Sequence, residues 1–260
     1  MTDMELFKKA LAKRSEAQSE NTKKEGIEST ILKELCEIEK REKVIVLYCA
    51  LSGSRAWGYN ALDSVYEVRF IYKRNETLSE TDGDKTSNKR DEIRWQKDGV
   101  LDINGCDIKK ATDLIKNSNP TIYEWSVSPT VYKRSLEWQQ ISENIKNHFS
   151  VKETLIQYLD ILSAKSRGLL EREKIKIDDY FEVLIPLLCY KHLINANSFP
   201  KLNVAYLMEN YLELDVKTEA NNLLQLNLSS KKSPLIEKNS LIDGFIEKTV
   251  LEMKDYISAL

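Results

Sequence analysis

Three groups of residues in the first half of the chain are of the types that chemistry on phosphates requires. Gly53-Ser54-Arg55 follows an apolar run from Val44 to Leu51. Asp63 leads into, and Glu67 lies on, a β-rich run over 65–73, while Asp102 sits between two apolar neighbours in Gly99 to Asn104. Glycine lets an anionic group come against backbone N–H groups where a Cβ would collide. Ser54 adds a hydroxyl, and Arg55 a guanidinium suited to phosphate. The alternative for Arg55 is an ion pair to Glu67 or Asp102 that anchors the turn. Carboxylates at i and i+2 of a strand share a face, and magnesium wants oxygen ligands in near-octahedral geometry. Position 65, which would share a face with Glu67, is a valine with no lone pair to offer. Asp107 is a further carboxylate, open equally to a reading as a helix N-cap.

These residues need a scaffold, and the hydrophobic spacing outlines one. Ile27, Ile31, Leu32, Leu35 and Ile38 predict an amphipathic helix over 27–42, preceded by a polar loop or frayed end over 15–26. Strands are expected at 43–51, 65–73, 91–97 and from Gly99 to Asn104, with a turn-rich loop over 75–90. Asp107 opens a helix carrying Ile108, Ala111, Leu114 and Ile115, and Asn119-Pro120 opens a shorter one ending near Trp125. From Leu136 the pattern is helical, over 136–148, 151–173, 179–195, 203–214 and 240–258, with a loop over 226–239. Strands first and helices afterwards predict an α/β module over 1–134 followed by a helical domain over 135–260. Trp57 reads as a packing residue or a base-stacking platform.

Bulk properties narrow the function classes. At 260 residues and a formal net charge of −2, nothing draws the whole molecule onto nucleic acid. Between Gly53 and Arg134 there are 14 basic and 13 acidic residues, so nucleic-acid binding would need a local patch such as Lys89, Arg90 and Arg94. Solvated surface is the other reading of that patch. The four cysteines, Cys36, Cys49, Cys106 and Cys189, are far apart and read as buried reduced thiols, with no zinc-site spacing to either histidine. No stretch is apolar enough to span a membrane and the first residues lack a signal-peptide core, so a cytoplasmic location is expected.

Five stretches in order carry a family resemblance: GSRAWGY at 53–59, DSVYEVRFIY at 63–72, LDINGCDIKKAT at 101–112, KNSNPTIYEWSVSPTVY at 116–132 and YFEVLIPLLCYKHLI at 180–194. The chain resembles the bacterial and phage RNA-repair-pathway branch of the DNA-polymerase-β-type nucleotidyltransferases. Members of that branch show GSRAWGF, DSDYDVRFIY, LDINGWDLRKAL, KSNPxxxEWLxSPxVY and YxxLRPxLACxWI. The resemblance implies an α+β fold, with the minimal nucleotidyltransferase mixed sheet followed by an all-helical C-terminal domain. It implies transfer of a nucleoside monophosphate from a nucleoside triphosphate to a hydroxyl acceptor, with RNA a candidate. On it, Glu67, Asp102 and Asp63 are the catalytic candidates, Gly53, Ser54 and Arg55 bind nucleotide, and Glu67 and Asp102 hold Mg2+ if the enzyme is active.

The departures are equally specific. The family's paired carboxylates correspond to Val65 and Glu67, its tryptophan in the third block to Cys106, and the arginine before its helical proline to Ile185. Asp63, Arg69, Asp102, Asp107 and Pro186 keep the family residue. Valine removes a ligand, and Glu67 moves its charge one methylene outward, where misplacement by about 1 Å costs on the order of 100-fold in rate. The expectation is therefore a nucleotidyltransferase-like protein with impaired catalysis. The alternatives are an active magnesium-dependent enzyme and a non-catalytic scaffold for a protein partner.

Overall fold

The computed structural model describes residues 26–75, 91–143 and 145–260. The polar stretch up to residue 25 and the turn-rich loop from 76 to 90, with Lys89 and Arg90, lie outside the described residues. The described chain divides into two compact units, one holding residues 26–46 and 74–75, the other residues 47–73 and 91–260.

In the first unit, helix α1 (26–42) buries Ile31, Leu35 and Ile38, the predicted stripe at helical spacing. Cys36 is exposed, which corrects the reading of all four cysteines as buried; Cys49, Cys106 and Cys189 are buried. The chain leaves α1 through Lys43, whose φ of 52° is left-handed. The Glu39 carboxylate accepts the Val46 N–H at 2.7 Å, and the Asn75 N–H donates to the Lys43 carbonyl at 3.0 Å.

The second unit holds most of a five-stranded mixed sheet and every later helix. Strands β1 (Val44–Ser52), β2 (Tyr66–Arg74), β3 (Glu92–Lys97), β4 (Leu101–Asp107) and β5 (Val131–Arg134) lie in the order β3-β4-β2-β1-β5. The expected adjacency of 43–51 and 65–73 holds. β2 and β4 run parallel with Glu67 opposite Asp102, while β3 with β4 and β5 with β1 are antiparallel. β1 is apolar along almost its whole length and is buried from Val46 to Leu51, as a central strand requires. Four short helices flank the sheet: α2 (Gly53–Trp57), α3 (Ile108–Lys116), α4 (Pro120–Ser126) and α5 (Leu136–Glu143). Asp107 caps α3 by accepting the Lys109 N–H, and Asn119 caps α4 in the same way ahead of Pro120.

The remaining helices are α6 (Val151–Leu170), α7 (Ile177–Ala196), α8 (Val204–Tyr211), α9 (Leu214–Ser229) and α10 (Ser240–Ser258). The hydrophobic spacing does not predict α9. Its buried positions Ala220, Leu223, Leu224 and Asn227 have helical spacing, but the last is polar, and the Ser-Lys-Pro-rich segment after it points to a loop from 226. Strands β6 (Lys174–Lys176) and β7 (Leu235–Glu237) pair as a small antiparallel ribbon, too short for sequence alternation to reveal. β5, at four residues, escapes for the same reason. Among the described residues no helix is long and apolar enough to cross a membrane.

The sheet segment and the helices share a core. Leu51, Ala56, Trp57 and Tyr59 pack in one buried cluster with residues of α6 to α10, and Tyr59 stacks on Phe181 at 5.1 Å. Trp57 is therefore a packing residue, 4% exposed. The segment after α2 is also strapped by main chain, with the N–H groups of Leu62 and Asp63 donating to the carbonyls of Ser230 and Lys231.

Candidate functional site

The end of β1 turns into α2 through Gly53, and two constraints explain why this residue is glycine. Its φ is 64°, in the left-handed region that a Cβ disfavours. A Cβ built there would also stand 1.9 Å from Oε1 of Glu67. The Ser54 backbone N–H favours the charged form of the same carboxylate. The groups expected to face a triphosphate thus face a side chain of the protein itself. The expected Gly-Ser turn is the first part of a five-residue helix, closed by Gly58.

On the neighbouring strands, Arg69 joins the two best-placed carboxylates. One guanidinium nitrogen, Nη2, lies 2.7 Å from Glu67 Oε2, and Nη1 lies 3.1 Å from Asp102 Oδ2 and 3.0 Å from the Asp102 carbonyl. Strand periodicity puts Glu67 and Arg69 on one face, and the parallel register brings Asp102 beside them. Asn104 donates to Asp102 Oδ2 at 2.9 Å, and Gln96 approaches Oδ1 at 3.5 Å. Burial pushes the Glu67 carboxyl above its usual range, with Arg69 opposing the shift and Asp102 and Glu182 adding to it. The ion-pair partner of Glu67 and Asp102 is therefore Arg69. Arg55 instead donates to the carbonyls of Ser64, at 2.7 and 3.0 Å, and of Leu62, at 2.9 Å, and stands over the Tyr66 ring at 3.9 Å.

The remaining candidates lie apart from this cluster. Val65 precedes β2, with its side chain partly exposed. Asp63 sits in the turn before it, so the strand does not begin early enough to set Asp63 on the face of Glu67. Asp107 is engaged as the α3 cap. Among the described residues no group of three or more His, Cys, Asp or Glu side chains converges as metal ligands do.

A cleft of about 310 Å3 opens beside Gly53 and Glu67, walled by α4, α6 and α7. Asp102 lines a different cavity, so Glu67 and Arg69 line this cleft without it. Glu124 projects into the cleft from α4, a carboxylate to which the sequence alone assigns no role. The Tyr158 hydroxyl donates to its Oε1 at 3.3 Å, and the Trp57 indole favours its charged form. Burial pushes this carboxyl up to about 7, with the nearby Glu67 charge adding to the shift and Trp57 and Tyr158 opposing it. Across the cleft Lys165 and Glu182 pair at 2.7 Å, and Pro186 leaves the Glu182 carbonyl without its helical donor. The legible signal for Glu124 is its place between two aromatic residues on a short helix, inside the block Tyr-Glu-Trp.

A strand, a Gly-Ser motif entering a helix, and a second strand with its carboxylate against that motif define a nucleotidyltransferase-type module. The chain belongs to the RNA repair pathway DNA polymerase beta family, whose sequence profile it matches over residues 27–259. It is 30% identical over 224 residues to the uncharacterized protein YcgL of Bacillus subtilis (strain 168), covering 85% of this chain and 84% of that one. Among solved structures it is similar to a nucleotidyltransferase-like protein from Exiguobacterium sibiricum 255-15, with a TM-score of 0.32 and 10% identity, over 90% of this chain and 75% of that one.

Proposed function

We propose that this protein is a member of its nucleotidyltransferase family in which nucleotidyl transfer is impaired. The observation that carries the reading is the bridge made by Arg69 between Glu67 and Asp102. Magnesium at such a site needs several anionic oxygens free to converge. Position 65 contributes none, Asp63 stands off the strand, and the two remaining carboxylates already share a guanidinium. The residues present do not fit the ion. A triphosphate fares no better at the Gly-Ser motif. The Glu67 carboxylate already stands against Gly53, and the Arg55 guanidinium is held by two backbone carbonyls.

The experiment is transfer of labelled nucleotide by the wild type and by Glu67→Gln, with magnesium or manganese and with RNA among the acceptors. The expected result is little transfer by either protein. Robust wild-type transfer that Glu67→Gln abolishes overturns the reading. It would favour an active magnesium-dependent enzyme, for which Glu124 in the cleft supplies a carboxyl poised near neutrality to take up a proton. Calorimetry with nucleoside triphosphates separates a protein that still binds nucleotide from one that serves only as a scaffold.

A further inference from the structure

Interiors pack densely, so a large opening lined by aromatic rings stands out. One of about 490 Å3 lies behind α4, on the side that carries Tyr123 and Ser126, whereas Glu124 and Trp125 line the family cleft. Tyr123, Phe149 and Phe199 form its wall, with ring centroids 5.0, 5.9 and 6.3 Å apart, and Trp138 also lines it. The Tyr123 hydroxyl donates to the Ile145 carbonyl at 3.0 Å, so its polar end is satisfied within the fold.

Among the described residues lining this pocket, Arg134 alone is charged. It ends β5, with its guanidinium carbon 5.8 Å from the Tyr48 ring centroid. A guanidinium carries five N–H donors, so this contact leaves donors for a ligand. Ser142 and Ser198 add neutral polar groups to the lining. Volume, aromatic walls and a single cation together match the general make-up of small-molecule sites.

We propose that this pocket is a ligand site for a flat aromatic molecule carrying one anionic group. The ring lies among Tyr123, Phe149 and Phe199, where aromatic pairs gain from offset or edge-on contact. The anion takes a charge-assisted hydrogen bond from Arg134. A cation of the same shape meets Arg134 unfavourably, and no carboxylate in the lining compensates it. The site is independent of the chemistry at Glu67 and survives whichever way the transfer assay falls.

Calorimetry on the full chain with three probes of one shape tests this: 2-naphthoate, 2-naphthyl phosphate and 2-naphthylmethylammonium. The two anions are expected to bind one to one, with the cation about tenfold weaker or worse. Preference between the two anions separates a carboxylate ligand from a phosphate one. Arg134 is exposed, so Arg134→Gln keeps the fold; it is expected to weaken the anions about tenfold and to erase the discrimination. Phe199→Leu retains apolar volume without the ring and is expected to weaken all three probes. The proposal is overturned if no probe binds at millimolar concentration, if the cation binds as well as the anions, or if Arg134→Gln leaves anion affinity unchanged.

Discussion

Glu124→Gln turns the environment of the cleft into a measurable slope of stability against pH. Burial raises the Glu124 carboxyl from 4.5 to about 7. Each unit corresponds to about 1.4 kcal/mol, so the full shift is worth about 3 kcal/mol. Glu124 is half-buried, and solvent screening brings the expected effect to about 1–2 kcal/mol. The sign follows from proton linkage. A carboxyl raised in the native state binds its proton more tightly there than in the unfolded chain. Stability is therefore greatest below pH 4.5 and falls as pH rises towards about 7. Glutamine mimics the protonated carboxyl without titrating, so the variant lacks this contribution to the fall. Glu67 and Asp178, whose carboxyls burial also raises, titrate in both proteins and cancel to first order in the difference. Urea unfolding at fixed ionic strength from about pH 4.5 to 8 reads the difference directly. Glu124→Gln is expected to gain on the wild type as pH rises, by about 1–2 kcal/mol in all. A difference that is flat over this range, or that grows towards low pH, refutes the assignment of Glu124 as a desolvated carboxyl.

Two further perturbations probe the motif itself. Gly53→Ala is expected to cost about 2–4 kcal/mol, from the left-handed φ and the collision with Glu67, but only about 1–2 kcal/mol in a Glu67→Ala background. Equal costs by chemical denaturation in the two backgrounds would show that Glu67 does not press against Gly53. Val65→Asp with Glu67→Asp restores the family's carboxylate pair, and magnesium is expected to raise the melting temperature of this double variant but not of the wild type. Without the ion the double variant should be less stable, because two carboxylates two residues apart repel. Equal melting temperatures with and without magnesium would rule out a latent metal site.

The legible parts of the fold are those with long periodic signals. The stripe Ile31, Leu35, Ile38, the apolar run of β1 and the caps Asp107 and Asn119 are local features, and local features survive into the structure. The two-residue pairing of Glu67 with Arg69 is local as well, yet its meaning depends on Asp102, which the parallel register brings alongside from 35 positions later in the chain. No periodicity encodes that register. Glu124 is a sharper case. Its environment is assembled from Trp57 and Tyr158, which are remote in sequence, so its place between two aromatics on α4 marks the position without showing what surrounds it. α9 is hidden because a buried polar residue, Asn227, interrupts its stripe. The Asn227 side chain donates to the Tyr59 carbonyl and, at 2.8 Å, to Asp178, so a tertiary contact rather than a propensity sets its place.

The two departures from the family pattern, Val65 and Glu67, make one physical unit. Two aspartates at 65 and 67, two residues apart, would repel and call for a cation between them. Valine at 65 removes that repulsion and the demand for the ion. The longer Glu67 side chain then carries its carboxylate against Gly53 at the start of α2. Arg69 neutralises the pair that remains, Glu67 and Asp102, at 2.7 and 3.1 Å. Every one of these charged groups thereby has a partner from the chain. Any ligand taking the place of one partner must match a charge-assisted hydrogen bond that is already made. Reversing only one departure leaves the set unbalanced: Val65→Asp alone adds a charge two residues from Glu67 with Arg69 already shared, and Glu67→Asp alone draws the carboxylate back from Gly53. For that reason the paired variant, and neither single one, is the decisive test of whether this site can hold a metal.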